Sequence, residues 1–426
     1  MNPLLVVLLL ALIGLLGAQL TFSRRQVPLG PRTFIAIGGP FLLLGFLLGP
    51  HLLRVLTPGT LRALNPLLAL GLGWVGVLFG LQLDRAHLRQ FPPRYLAIAW
   101  SQAAIAFGVV YIVGQLLTKA WFSLELDAIV LAAAATACVS TPAAIALISN
   151  TYRTRGRITR LLFYVTSLDA AVGIGALGLT HAAYHTRLLG GGVALSLVEW
   201  FVISVLLGFF FGVLFLSLTR IRPRSQELVL LLIGLVLFAA GAAFYLSLSP
   251  LFVCMIAGTV IGNLSPVRRR AYAALSQWEQ PIYIMLLVLA GALLHFSSWW
   301  IVPLVAAYAA GRLLAKWIGG LVASRAGPRD LALPASFGLA LTPQGGISLA
   351  MAISFVLIYV PMGSEPDAAL NVFFATVVIA VGISDLIGPF LIRGVLERAG
   401  ELDRRVAHAG AASDSNKGRG AAWRIR

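Results

Sequence analysis

The feature that most constrains this chain is a succession of apolar runs, each about as long as a bilayer is thick, separated by short segments carrying Arg, Pro and polar residues. A hydrocarbon core of about 30 Å takes about 20 residues of helix to cross. Thirteen such runs can be marked off, near 3–22, 34–49, 64–82, 95–117, 126–149, 161–181, 193–219, 228–246, 249–262, 280–296, 299–323, 331–360 and 368–392. Hydrophobic side chains make up 59% of the 426 residues and charged ones only 11%, less than half the usual share of about 25% in a soluble domain. A soluble fold is excluded, and an all-α polytopic membrane protein with about 13 transmembrane helices is expected. The first run lacks a basic leader and a clear small-residue cleavage site, so it is expected as a retained helix rather than a signal peptide. The eighth and ninth runs are divided only at Ser247-Leu248-Ser249-Pro250.

Charge supports that division. The formal net charge is +17, but the arginines sit in short clusters between apolar runs, where they report topology rather than a nucleic-acid partner. Odd-numbered loops hold Arg24, Arg25 and Arg32; Arg85, Arg89 and Arg94; Arg153, Arg155, Arg157 and Arg160; Arg220, Arg222 and Arg224; Arg268, Arg269 and Arg270; and Arg325 and Arg329. Even-numbered loops hold Arg54, Arg62, Lys119 and Arg187. Because cytoplasmic loops are the basic ones, the N-terminus is expected outside and the C-terminus in the cytoplasm of a multi-pass cell-membrane protein. Fusing the eighth and ninth runs would destroy the asymmetry. Residues 1–395 are expected to form one transporter domain, and 396–426 a basic, disordered cytoplasmic tail.

Two runs, near 126–149 and 331–360, are interrupted by residues that do not simply continue a helix: Ser140-Thr141-Pro142 in the fifth and Thr342-Pro343-Gln344-Gly345 in the twelfth. Proline removes an amide donor and glycine loosens the helix, freeing backbone groups where no water can meet them. A proline kink satisfied by neighbouring helices is the ordinary alternative for either site alone. Two breaks seven helices apart necessarily run in opposite directions, which is the pattern of an inverted-repeat secondary transporter with its site near mid-depth.

Charges inside the runs are costly, about 2.5–3.5 kcal/mol each at the centre of a helix, and they are few. Asp169 lies near the middle of the sixth run, and Arg312 and Lys316 lie one turn apart in the eleventh. Lysine, unlike arginine, can give up its proton when desolvated. A purely structural ion pair competes with a functional reading of Asp169 and Lys316, and Arg312 is expected to pair with an acid. Asp385, in the thirteenth run, is expected to cap or pair with a helix terminus. Asp127, Glu199 and Glu279 sit at helix ends, where side chains reach water. His181 and His185 have metal-pair spacing but no third ligand nearby, and Cys138 and Cys254 lie in separate runs, so neither a metal site nor a disulfide is expected.

The chain resembles the monovalent cation:proton antiporter family, within the sodium/hydrogen exchanger superfamily, over residues 3 to 395. The resemblance rests on Leu44-Gly45-Phe46-Leu47-Leu48-Gly49-Pro50, on Gly76-Val77-Leu78-Phe79-Gly80-Leu81-Gln82-Leu83-Asp84, on Ser140-Thr141-Pro142 and on Ser167-Leu168-Asp169. It continues through Lys316-Trp317-Ile318-Gly319, Gly338-Leu339-Ala340-Leu341-Thr342-Pro343-Gln344-Gly345-Gly346 and Asp385-Leu386-Ile387-Gly388-Pro389. It implies a homodimer in which a core of two crossed, broken helices moves against a dimerisation domain. It also implies a polar or acidic pair in the sixth helix, whose second acid binds cation and proton in competition. Here that pair reads Asp169-Ala170: the first acid and its lysine partner, Lys316, are kept, and the principal ligand is alanine. Many members carry a glutamate where this chain has Gly346.

The leading expectation is therefore a secondary transporter exchanging sodium, potassium or lithium for protons by alternating access. Asp169 would be the proton and cation carboxylate, Lys316 its charge partner, Ser140, Thr141, Pro142, Thr342, Pro343, Gln344 and Gly345 the broken-helix path, and Arg312 and Asp385 auxiliary charges. The alternatives are a coupled organic-anion carrier on the same fold and a transport-inactive sensor. No Gly-x-Ser-x-Gly or His-Glu-x-x-His signature occurs, so enzyme chemistry is not expected. No cofactor is expected beyond the transported ions, and no partner beyond these, the lipid bilayer and a second copy of the chain.

Overall fold

The computed structural model describes residues 3–21, 38–85, 89, 91–121, 126–188, 195–220, 224–296, 298–326, 332–359 and 368–402. The first basic cluster, Arg24, Arg25 and Arg32, and residues 403–426 of the tail lie outside these. Among the described residues eight helices are long and apolar enough to span a bilayer, and five shorter apolar helices stand in the remaining places. Each of the thirteen expected runs has its helix. The eighth (Ser225–Tyr245) and ninth (Pro250–Leu264) are separate. Ser247 turns the chain with a left-handed φ of 54°, and the Ser249 side chain accepts from Phe252 N ahead of Pro250, a capped start with proline in the first turn. Two short helices were not anticipated, Pro58–Ala63 and the arginine-led Arg268–Ser276.

The packing repeats with an offset of seven crossings. The third (Asn65–Gln82) lies along the ninth, and the tenth (Glu279–Leu293) along the second (Gly39–Leu48); the eighth joins the third as the first (Pro3–Thr21) joins the tenth. The fourth (Pro93–Trp121) meets the fifth as the eleventh (Ile301–Ala326) meets the twelfth, and the sixth (Arg157–Leu188) meets the fifth as the thirteenth (Ala368–Arg398) meets the twelfth. An odd offset inverts the second set, so the two halves are an inverted repeat. Crossings 1, 2, 3, 8, 9 and 10 make one bundle and 4, 5, 6, 11, 12 and 13 the other. The seventh (Leu197–Leu218) packs on the ninth and the sixth.

Lipid tails offer no hydrophobic drive for helix association, so close backbone approach at small residues does the work. A methyl group at Gly80 would strike the Met255 carbonyl oxygen, and one at Gly258 that of Val77, which locks the third crossing to the ninth. Gly45 and Gly291 play the same part between the second and tenth, against the carbonyls of Val288 and Leu42. Large apolar side chains such as Leu230 and Phe238 point outward, 70% and 68% exposed, as a lipid-facing surface requires.

Two expected boundaries shift. The twelfth run is not helical over 332–336. Pro334 and Pro343 each lack an amide donor and stand nine residues apart, so the intervening chain makes only the 3₁₀ turn Phe337–Leu341 before the helix Gly345–Tyr359 begins. The last helix passes through Pro389 to Arg398, beyond the expected end of the run at 392. Just after it, the Glu401 carboxylate accepts from Ile158 N (2.6 Å), Thr159 N (2.9 Å) and Thr159 Oγ1 (2.7 Å), capping the start of the sixth crossing, where a negative charge is favoured.

Candidate functional site

The fifth crossing is two helices, Asp127–Cys138 and Pro142–Tyr152, joined by the extended residues Val139–Thr141. It meets the break of the twelfth at mid-bundle: Thr141 N donates to the Pro343 carbonyl (2.8 Å), and Ser140 Oγ lies 2.8 Å from the Leu341 carbonyl oxygen. Each break leaves the last carbonyls of one half-helix and the first amides of the next without intrahelical partners. Thr141 Oγ1 accepts from Ala143 N (3.3 Å) at the start of Pro142–Tyr152; the eleventh crossing meets carbonyls of both breaks, and the thirteenth the amides of the second.

Arg312 is 1% exposed and takes no carboxylate among the described residues. Its Nε donates to Ala137 O (3.0 Å), its Nη2 to Val139 O (2.6 Å) and Leu341 O (3.2 Å), and its Nη1 to Thr342 O. The expectation that it pairs with an acid is therefore corrected. A planar fork with five donors suits four carbonyls at the negative ends of two half-helices. At the positive end of Gly345–Tyr359, Asp385 Oδ1 accepts from Gln344 N (2.7 Å) and Gly345 N (3.0 Å), the helix-terminus role anticipated for it. Gly345 holds φ 64° there, a conformation that costs a glycine little.

Asp169 and Lys316 form a direct pair, Nζ to Oδ2 at 2.7 Å, with both side chains fully enclosed. Lys316 Nζ also donates to Cys138 O (2.9 Å), and Ser140 Oγ lies 3.1 Å from Asp169 Oδ2, its single proton shared with the Leu341 carbonyl. Asp169 Oδ1 has no partner among the described residues. The next residue, Ala170, is fully buried in the apolar core along with Ala134, Ala137 and Ile174. Thus Ser140, Thr141, Pro142, Thr342, Pro343, Gln344, Gly345, Arg312, Lys316, Asp169 and Asp385 fall into one cluster, and its only acid and base in direct contact are Asp169 and Lys316 among the described residues.

Several polar residues of this cluster were not singled out in the sequence. Tyr308 shares a hydrogen bond with Thr136 (3.0 Å), and Gln344 Nε2 donates to Tyr308 OH (3.0 Å) and Thr136 O (3.1 Å). The signal existed, because Tyr308, Arg312 and Lys316 recur every four residues and so share one helix face. Gly346 has no room for a side chain: a Cβ there would run into the Tyr283 ring of the tenth crossing. The polar Gln102 in the middle of the fourth crossing was readable too. His185, by contrast, stacks on Trp200 and bonds the Leu246 carbonyl, and no group of three potential metal ligands occurs among the described residues.

A family model described as sodium/hydrogen exchanger, transmembrane, matches residues 8–398. No curated protein matches the chain. Among solved structures the chain is similar to the sodium proton antiporter MjNhaP1 from Methanocaldococcus jannaschii at pH 8. The TM-score is 0.62 and the identity 15%, over 96% of this chain and 97% of that one, a likeness of fold.

Proposed function

The chain belongs to the sodium/hydrogen exchanger family, whose members are membrane transporters and not enzymes, and from that premise we propose that it exchanges sodium, lithium or potassium for protons at Asp169. The observation that carries this reading is the enclosed Asp169–Lys316 pair, 2.7 Å apart, set where two broken helices cross. Asp169 is loaded by a proton or by a cation in turn, and Lys316 is the positive charge that holds the carboxylate when neither is bound. An arriving cation finds one carboxylate, the Ser140 hydroxyl and carbonyls of the breaks, because Ala170 brings no ligand. Asp385 already answers the positive end of the second half of the twelfth crossing, which argues against an organic anion there.

Alternating access follows from movement of the bundle holding both breaks against the other bundle, since one site must open to each side. The basic odd-numbered loops support an N-terminus outside and a C-terminus in the cytoplasm. With that orientation, a cysteine at Ser225 reacts with an impermeant thiol reagent only after permeabilisation and one at Gly59 reacts from outside; the reverse labelling overturns it. Exchange itself is tested in everted vesicles carrying a pH gradient. Collapse of the gradient on adding sodium, lithium or potassium supports the proposal, and silence to all three in vesicles containing the folded protein overturns it.

A further inference from the structure

Gln102 sits in the fourth crossing, fully enclosed, with neither amide atom hydrogen-bonded among the described residues. A primary amide has two donor hydrogens and an acceptor oxygen, and leaving them unmet away from water is costly. Leucine fills a similar volume without that cost, so a glutamine kept here needs a reason.

Two contacts locate the amide. It lies against Gly319, where an added Cβ would come within 2.7 Å of the Gln102 Cδ; the missing side chain makes its space. Gly319 follows Lys316 by three residues, on the same face of the eleventh crossing. The neighbouring Ala103 carbonyl accepts from Cys138 Sγ at 3.4 Å, and the Cys138 carbonyl is the second partner of Lys316 Nζ. The unmet amide therefore borders the surroundings of the Lys316 ammonium from two directions.

We propose that Gln102 receives the Lys316 ammonium whenever Asp169 is loaded; this rests on the exchange reading above. A proton or cation on Asp169 takes away the negative charge that Lys316 meets at 2.7 Å and leaves an enclosed ammonium with three donors, the Cys138 carbonyl and at best a neutral or cation-shared carboxyl oxygen. Gln102 Oε1 is an unused acceptor set against Gly319, one turn along the eleventh crossing from Lys316, and the lysine carries its ammonium on a flexible four-carbon stem. Holding the displaced lysine there lowers the cost of loading Asp169. Gln102 is in this sense a positioning residue, acting on the ion through Lys316.

The test is sodium-driven proton exchange by purified protein in liposomes. Gln102→Leu is expected to raise the KM for sodium about tenfold, the equivalent of one displaced-charge hydrogen bond of roughly 1.4 kcal/mol, while the rate at saturating sodium is kept and the melting temperature is kept or raised. Gln102→Glu retains an acceptor and is expected to keep the KM at or below the wild-type value. If Gln102→Leu does not fold, Gln102→Met makes the same comparison. A wild-type KM in the folded Leu or Met variant overturns the proposal while leaving Asp169-based exchange standing. Exchange that survives Asp169→Asn, or a wild-type protein with neither exchange nor a sodium-dependent rise in melting temperature, overturns the exchange reading and this inference together.

Discussion

Separating Asp169 from Lys316 is expected to cost far more than removing both. The two charges are fully enclosed and 2.7 Å apart. In Lys316→Gln the carboxylate keeps only the shared Ser140 proton; in Asp169→Asn the ammonium keeps the Cys138 carbonyl and a neutral amide. Stranding one member of a buried pair costs about 3–5 kcal/mol, whereas replacing both members with neutral groups is often nearly neutral. A stranded charge can relieve itself by gaining or losing a proton, and each keeps at least one partner here, so about 3 kcal/mol is expected for each single variant. If independent, the two losses would reach about 6 kcal/mol; the double variant is expected to lose about 2 kcal/mol or less, a coupling of roughly 4 kcal/mol. Thermal unfolding in detergent, followed by tryptophan fluorescence with wild type, both singles and the double side by side, measures this. Additive losses would refute the pairing.

Three other outcomes follow from the same geometry. Ala170→Asp places a second carboxylate beside Asp169, and close acids repel so that one holds its proton more tightly; sodium- or lithium-dependent proton exchange in vesicles is expected to increase, and unchanged flux from a folded variant would contradict the placement of the missing ligand. Arg312→Lys is expected to destabilise the protein by about 2 kcal/mol or more in detergent melts, because one ammonium cannot serve four carbonyls and each unmet group costs about 1–3 kcal/mol. Where the loops that follow the second and tenth crossings meet, His295 Nδ1 and His51 Nε2 are 2.5 Å apart, one holding the hydrogen and the other accepting. Burial, then the neighbouring His295 and Arg54, lower the His51 pKa below 6.5. An unfolded chain then takes up the proton first, so this contribution to stability is present above about pH 6.5 and lost as pH falls through the lower folded value. The melting temperature should fall less between about pH 7.5 and 5 in His51→Gln than in wild type.

The thirteen crossings were legible because bilayer thickness sets the length of a run and arginine marks its ends. Both breaks were legible because proline, hydroxyl and glycine together are incompatible with a continuous helix. What lay beyond reading were contacts whose partner is backbone or remote chain. Arg312 looked like half of an ion pair because its real partners, four carbonyls, belong to every sequence equally. The 3₁₀ turn at Phe337–Leu341 depends on how little chain two prolines leave between them. Glu401 caps the sixth crossing from 243 residues away, and nothing in the local pattern of Gly400-Glu401-Leu402 announces it. Gln102 was visible as an intramembrane amide, yet its relation to Lys316 needed Gly319 and Cys138 placed in space.

The most direct measurement compares wild type with Asp169→Asn, reconstituted in equal amounts in liposomes carrying a pH gradient, as sodium, lithium or potassium is added outside. Wild type is expected to dissipate the gradient in response to at least one of these cations, and Asp169→Asn, correctly folded, to leave it intact. Undiminished cation-driven proton flux in Asp169→Asn would contradict the assignment of Asp169 as the exchanging carboxylate.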